Sequence, residues 1–366
     1  MGAGFSLYLD ALRLGAALAV LFSHLGHGHL VGGLLWPFTR WGGEAVITFF
    51  VLSGFVIAHV VNTRPSGMAD FLVARVARLF SVILPAMLLT FVLDAAGRSA
   101  NPGAYVAVGQ WRAEESAPLN YLLSFFMLNQ SWGLNRHFGS NGAYWSIPFE
   151  FWYYVLFGAF CLMRGWARWA ALAGAALLAG PRILALLPVW LLGVAAYRVM
   201  ASGRRIAWPV LGSVLTLAGA AAMLLLDLQR PAWLGASGLQ ADGWAWQGLF
   251  GLCIAAHLVC AAQVRVIESW RLFVTCSWPA AALRFAAGVS FSLYMFHLPV
   301  LNFLHAFRGE LAGSALYPAL LIIAPLLLAG TVGHWCELQK VPLRRLLARW
   351  LRSPAGHPMR SQRPHH

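Results

Sequence analysis

Residues 7–30 read LYLDALRLGAALAVLFSHLGHGHL, an apolar run that also carries Asp10, Arg13 and His24. A helix of about 20 mostly apolar residues crosses a bilayer, and an ionisable side chain at its centre costs at least ~2.5–3.5 kcal/mol. These three side chains are therefore expected to face a protein interior or a water-filled cavity. Eleven positions separate Arg13 from His24. At about 100° and 1.5 Å per residue this is three turns plus roughly 20°, about 16 Å along the axis, so the two share one face. The stretch lacks a basic leading region and is read as part of the fold rather than as a cleaved signal peptide.

The rest of the chain has the same character. AVILMFWYC supply 60% of the 366 residues and DEKR only 10%, against about 25% charged residues in a soluble domain. Hydropathy and helix breakers predict helices at 7–30, 43–62, 72–96, 143–163, 166–180, 182–200, 207–226, 245–264, 284–306 and 314–336. The expected fold class is an all-α polytopic membrane protein of about ten transmembrane helices, with a kinked, re-entrant pair as the alternative at Gly180-Pro181. With both termini cytoplasmic, eighteen of the 26 Lys and Arg fall on inner segments, seven on outer ones, and Arg13 lies within a helix. That asymmetry predicts an N-in, C-in orientation. It also accounts for the net charge of +14 without a nucleic-acid partner, which would need a basic soluble face.

Two domains are expected: a transmembrane domain over 1–336 and a basic cytoplasmic tail over 337–366. The tail opens with KVPLRRLLARWLR (340–352), which reads as an amphipathic helix lying on anionic lipid. The longest connection, 97–142, includes YLLSFFML at 121–128, too short to span and read as an interfacial helix or a lid. Cysteines 161, 253, 260, 276 and 336 lack metal or disulfide spacing and read as small apolar filler. His24, His27 and His29 are not completed by a Cys or carboxylate, so no metal is expected.

Several polar side chains recur at helical spacing inside these segments. Arg75 and Arg78 lie one turn apart at the start of the third helix, either as ordinary positive-inside flanks or, with Arg13, as three guanidiniums at one depth suited to phosphates. His24, deeper in the first helix, can act as a general base near neutral pH, although it could equally bond a neighbouring helix while Arg13 pairs with Asp10. AYWSIPFEFWYY (143–154) places Ser146, Glu150 and Tyr154 at successive turns. Glu150 is expected near the level of His24, to orient the imidazole or bind an acceptor hydroxyl, with a neutral structural glutamate as the alternative. Ser290, Tyr294 and His297 form a polar stripe that can also serve as helix-helix glue. Ser53-Gly54 permits close approach of a neighbouring helix or of a thin acyl chain.

Together these elements resemble the acyltransferase type 3 family of membrane-bound enzymes that O-acylate sugars and related hydroxylated molecules. The resemblance runs through YLDALRLGAALAVLFSH, FFVLSGFVI, RVARLF, YWSIPFEFWYY, SFSLYMFHLP and HWCELQKVP, in the family's order. Ile147-Pro148 differs from the usual middle of the fourth-helix element, and Glu337 stands further from Pro342 than usual. The resemblance implies acyl-CoA, of which acetyl-CoA is the simplest, as donor, His24 as the essential base, and Arg13, Arg75 and Arg78 as binders of the donor phosphates. Glu150 joins His24 as a candidate catalytic residue; Asp10, Ser53, Ser146, Tyr154, Tyr294 and His297 are assigned to substrate positioning. The implied setting is a bacterial inner membrane, with membrane lipid, a carbohydrate or glycosylated acceptor and a second copy of the chain in a homodimer as partners. The rival reading is a transporter or flippase of anionic or acylated solutes using the same charges. Such proteins often carry inverted repeats, and no self-similarity between the halves is evident.

Overall fold

The computed structural model describes residues 2–26, 30, 39, 41–64, 66–107, 117–227, 244–265, 267, 277–311 and 316–352. Among them the chain is helical, with no strand. The principal helices are α1 (Ala3–Leu25), α2 (Gly42–Thr63), α3 (Met68–Ala100), α4 (Ala117–Phe125), α5 (Ile147–Leu162), α6 (Gly165–Ala185) and α7 (Leu187–Ala201). They continue as α8 (Pro209–Asp227), α9 (Trp244–Ala261), α10 (Trp278–Gly288), α11 (Ser290–Ala306), α12 (Leu316–Leu328) and α13 (Lys340–Arg352).

Each of the ten predicted segments falls on helix. Six helices are long and apolar enough to cross a membrane, or eight if each of two bent pairs counts as one span. Leu88, Phe91, Trp166, Leu177 and Leu215 are among many large apolar side chains left exposed, a surface that lipid rather than water would solvate. The chain is a multi-pass membrane protein.

Three segments depart from straight predicted helices. α6 breaks at Gly180 (φ 78°, ψ 171°) just before Pro181, a left-handed conformation that glycine tolerates, and α6 and α7 then meet at 89°. The predicted helix 284–306 is bent by 56° between α10 and α11, where Val289 leaves helical geometry at φ −97°, ψ 3°. The last predicted helix does not stop at 336. It runs from Leu316 to Leu351 through a π-helical turn at Ala329–Gly333 and a short helix at His334–Leu338, so the expected tail begins inside a helix and packs against α3.

Close packing is densest where α2 crosses α7. A Cβ added to Gly54 would lie 2.1 Å from the Trp190 carbonyl oxygen, and one on Gly193 would lie 1.9 Å from that of Val51. The two backbones therefore touch through reciprocal glycines, the small-residue device by which membrane helices gain dispersion contact. Gly54 thus serves a helix crossing, while its neighbour Ser53 accepts a hydrogen bond from Trp190 Nε1 at 3.2 Å.

The segment after α4 is pinned by buried polar groups. Asp94 of α3, 2% exposed, accepts from the Ser140 backbone N–H at 2.7 Å and from Ser140 Oγ at 2.6 Å. Asn141 Nδ2 donates to Met295 O, and Asn302 Nδ2 to Ser140 O, tying the same loop to α11. Tyr144 OH donates to Ser124 O, and Trp152 Nε1 to Met127 O. The stretch 121–128 accordingly ends a short surface helix seated on α3, where Phe125 meets Phe80 and Tyr121 meets Phe91, with Leu122 and Phe126 exposed; residues 108–116 of the same connection lie outside the described residues. Asp94→Ala would leave two buried donors unpaired, each costing about 1–3 kcal/mol. The expected result is an apparent Tm lower by several degrees in detergent, read by size-exclusion chromatography after heating.

Candidate active site

α1, α2, α3, α5 and α11 line a partly open cleft of about 720 Å³ counting the space open to solvent. Its wall gathers Arg13, Ser53, Arg75, Arg78, Ser146, Glu150, Tyr154 and Tyr294, eight of the eleven side chains singled out from the sequence. Val46, Phe49, Phe50 and Ile57 of α2 supply much of the apolar lining. Val46 and Ile57 stand eleven residues apart on α2, about 16 Å along its axis, so the cleft is long and narrow rather than globular.

One end is cationic. Arg13 of α1 pairs with Asp10 at 3.2 Å, the i, i+3 contact anticipated as the alternative to ligand binding, and lines the cleft as well. Asp10 itself does not line it. Arg75 and Arg78 enter from α3 one turn apart, and Arg75 Nε is buried without a hydrogen-bond partner. Glu337, 8% exposed, adds a carboxylate whose field acts on Arg78. This placement escapes a periodicity argument, because the π-helical turn at Ala329–Gly333 changes the angular phase of everything after it.

The middle of the wall is a carboxylate clamp. Ser53 Oγ donates to Glu150 Oε1 at 2.7 Å, and Tyr154 OH donates to the same oxygen. Tyr154 is 3% exposed, and the i, i+4 spacing on α5 sets it one turn below Glu150. The carboxylate thus joins the arginine end, where its charge acts on Arg13, Arg75 and Arg78, and its hydrogen bonds run to Ser53 and Tyr154 rather than to His24.

At the other end Ser146 Oγ and Tyr294 OH lie 2.8 Å apart, and Tyr294 OH donates to Ala143 O at 2.7 Å. Behind Tyr294 come the two histidines, neither of which lines the cleft. The rings of Tyr294 and His297 are 6.1 Å apart, and those of His297 and His24 are 5.1 Å apart. His297, 1% exposed, directs Nδ1 at Leu293 O, 3.1 Å away. The bond places the proton on Nδ1, which leaves Nε2 as a buried lone pair without a partner. His297 therefore meets the ring of Tyr294 at this end of the cleft, with His24 beyond it.

The order of these elements along the chain can be compared with known proteins. A family model described as an acyltransferase domain matches residues 6–335. The chain belongs to this acyltransferase family. An O-acetyl transferase of Shigella phage Sf6 is 32% identical to it over 159 residues, 41% of this chain and 44% of that protein. The chain so spans less than half the length of that curated relative. No solved structure matches the acyltransferase chain.

Ser290 and Trp190 complete the site: Ser290 lines the cleft, and the Trp190 indole holds Ser53. Trp190 gave no signal in the sequence, since its role depends on the glycine crossing. Among the described residues no three His, Cys, Asp or Glu side chains gather as a metal site; His27 and His29 lie outside those residues. Cys161, Cys253, Cys260 and Cys336 are free thiols, and Cys276 is also outside the described residues.

Proposed function

We propose that this acyltransferase moves an acyl group, acetyl in the simplest case, from acyl-CoA to a hydroxyl of a carbohydrate or glycosylated acceptor in the plasma membrane. The observation that supports it is the cleft itself, with three guanidiniums at one end and Tyr294 at the other, beyond which the His297 and His24 rings follow. A donor with phosphates on one end of a narrow, largely apolar arm suits that shape. Guanidiniums recognise phosphates through charge-assisted bonds, and the apolar walls suit the arm.

In the proposed reaction, His24 removes the proton from the acceptor hydroxyl as its oxygen attacks the thioester carbonyl. A C–O bond forms, the C–S bond breaks, and the departing thiolate takes the proton back from the imidazolium, so the enzyme carries no acyl group. His297 packs against the base with the two rings tilted by 40° and limits its rotation, while Tyr294, Ser146 and the Glu150 clamp position the thioester. Holding both reactants in place supplies much of the rate, because it removes the entropy cost of their encounter. We further propose ten crossings with both termini cytoplasmic, which puts the arginine end toward cytoplasmic donor and His24 past the midplane, toward the acceptor. The tail after 336 then lies on the donor side.

Thiol release from acetyl-CoA, with a membrane and cell-surface glycan extract as acceptor, tests the assignment. The wild-type protein is expected to release free CoA, and Arg78→Ala to raise the donor KM about 10- to 100-fold, as for loss of a charge-assisted bond of roughly 1.5–3 kcal/mol. A protein that transports acyl-CoA or a glycan without cleaving the thioester would overturn the proposal.

A further inference from the structure

A second cavity, of about 990 Å³ counting the space open to solvent, lies beside the cleft and shares Arg75 and Arg78 with it. Its opposite wall is α13, which contributes Lys340, Arg344 and Arg345. Five cations thus surround one space. Among them Lys340 lies 3.8 Å from Glu337, whereas Arg75, Arg78, Arg344 and Arg345 form no ion pair among the described residues. Five like charges repel one another when the cavity is empty, at a cost that grows where water is scarce. A polyanion reverses the sign of that interaction.

The position of Arg344 and Arg345 on the wall of a space shared with Arg75 and Arg78 favours a solute there over a lipid surface. A helix lying on a membrane turns its cations out to the headgroups. Here Arg344 and Arg345 line a cavity shared with α3, while Leu346, Trp350 and Leu351 are exposed. Lys340, Arg344 and Arg345 thus line the cavity while remaining exposed, with Leu343, Leu347 and Ala348 half-buried beside them.

We propose that α13 builds the subsite for the phosphorylated nucleotide end of the donor, Lys340, Arg344 and Arg345 closing with Arg75 and Arg78 around its phosphates while the acyl-bearing arm runs on into the cleft. The inference rests on the acyl-CoA reading above and adds the residues that recognise its far end. It makes α13 part of the enzyme site rather than a lipid anchor. Arg344 and Arg345, remote from the thioester, then set donor affinity and selectivity for the ribose 3′-phosphate without touching the reacting atoms.

The test uses the full chain in nanodiscs and measures equilibrium binding of adenosine 3′,5′-bisphosphate, which needs no turnover. An Arg344→Gln/Arg345→Gln double variant is expected to bind it at least about 10-fold more weakly than wild type, through loss of charge-assisted bonds to phosphate. Arg349→Gln, a charge loss on α13 outside the cavity, is expected to bind normally, which separates the site effect from net charge and from misfolding. In turnover, the double variant raises the KM for acetyl-CoA but leaves that for 3′-dephospho-acetyl-CoA within about twofold, with kcat unchanged. The same differences are expected in nanodiscs of phosphatidylcholine alone and in ones containing phosphatidylglycerol. Differences seen only with anionic lipid would assign the arginines to headgroups and overturn the proposal, as would absent binding by wild type or equal binding by wild type and the double variant. A wild type that binds the bisphosphate but never cleaves a thioester would overturn the transfer reaction and leave the nucleotide subsite standing.

Discussion

His24→Ala is expected to reduce acyl transfer about 10²- to 10⁴-fold, the usual contribution of a positioned general base, with the loss in kcat and little change in donor affinity. The division follows from geometry. His24 packs on His297, beyond Tyr294, and does not line the donor cleft, so removing its ring takes away the proton acceptor and leaves the arginines and Glu150 undisturbed. Adenosine 3′,5′-bisphosphate should bind the variant as it binds wild type. His24→Gln, which retains a polar side chain without a basic lone pair, should be nearly as slow as the alanine variant. Transfer by either variant at the wild-type rate would remove His24 from the chemistry.

The second large effect is on the fold. Gly193→Ala adds only one methyl group, yet its carbon would stand 1.9 Å from Val51 O and 2.8 Å from Phe55 N. Both neighbours are backbone, so no side chain can rotate aside and the helices must separate. Overpacking costs about 1–3 kcal/mol and can cost more. It also pulls Trp190 away from Ser53, which bonds the Glu150 carboxylate. The expected outcome is a markedly lower yield of monodisperse protein in detergent, and slower thioester cleavage by what survives. A Gly193→Ala protein with wild-type chromatographic behaviour and Tm would show that the backbones do not meet as described.

Much of this was legible from sequence because the membrane imposes a severe filter. A charged or imidazole side chain in an apolar run must find protein or water, and that single rule selected Arg13, Glu150 and the polar stripe of α11 without tertiary information. Helical spacing grouped Arg75 with Arg78 and Glu150 with Tyr154, and both pairs line the cleft. The same reasoning put Glu150 near His24, because it measured depth along each helix and had no information on the rotation of one helix relative to another. Rotation turns Glu150 toward Ser53 and Tyr154, and leaves His24 with His297.

The C-terminal segment shows the limit from the other side. KVPLRRLLARWLR has an amphipathic pattern that suits a lipid surface and a protein groove equally well, since periodicity reports which residues share a face and not what the face meets. In the structure this helix packs against α3 with Arg344, Arg345 and Trp350 exposed. Likewise, nothing in the sequence distinguishes Gly193 from other glycines of apolar helices until Val51 O is found against it.

The amino-acid sequence by itself determined that this chain is a helical, multi-pass membrane protein, which buried polar side chains it must shelter, and, through their order, its resemblance to an acyltransferase family. Those properties follow from local chemistry: apolar length, helical period and the cost of burying charge. Only the tertiary structure decided that three arginines and the Glu150 clamp share one cleft, that the two histidines stand behind Tyr294, and that α13 faces α3. These depend on how helices rotate and cross, which is set by side chains far apart in the chain meeting at close range, down to the missing Cβ atoms of Gly54 and Gly193.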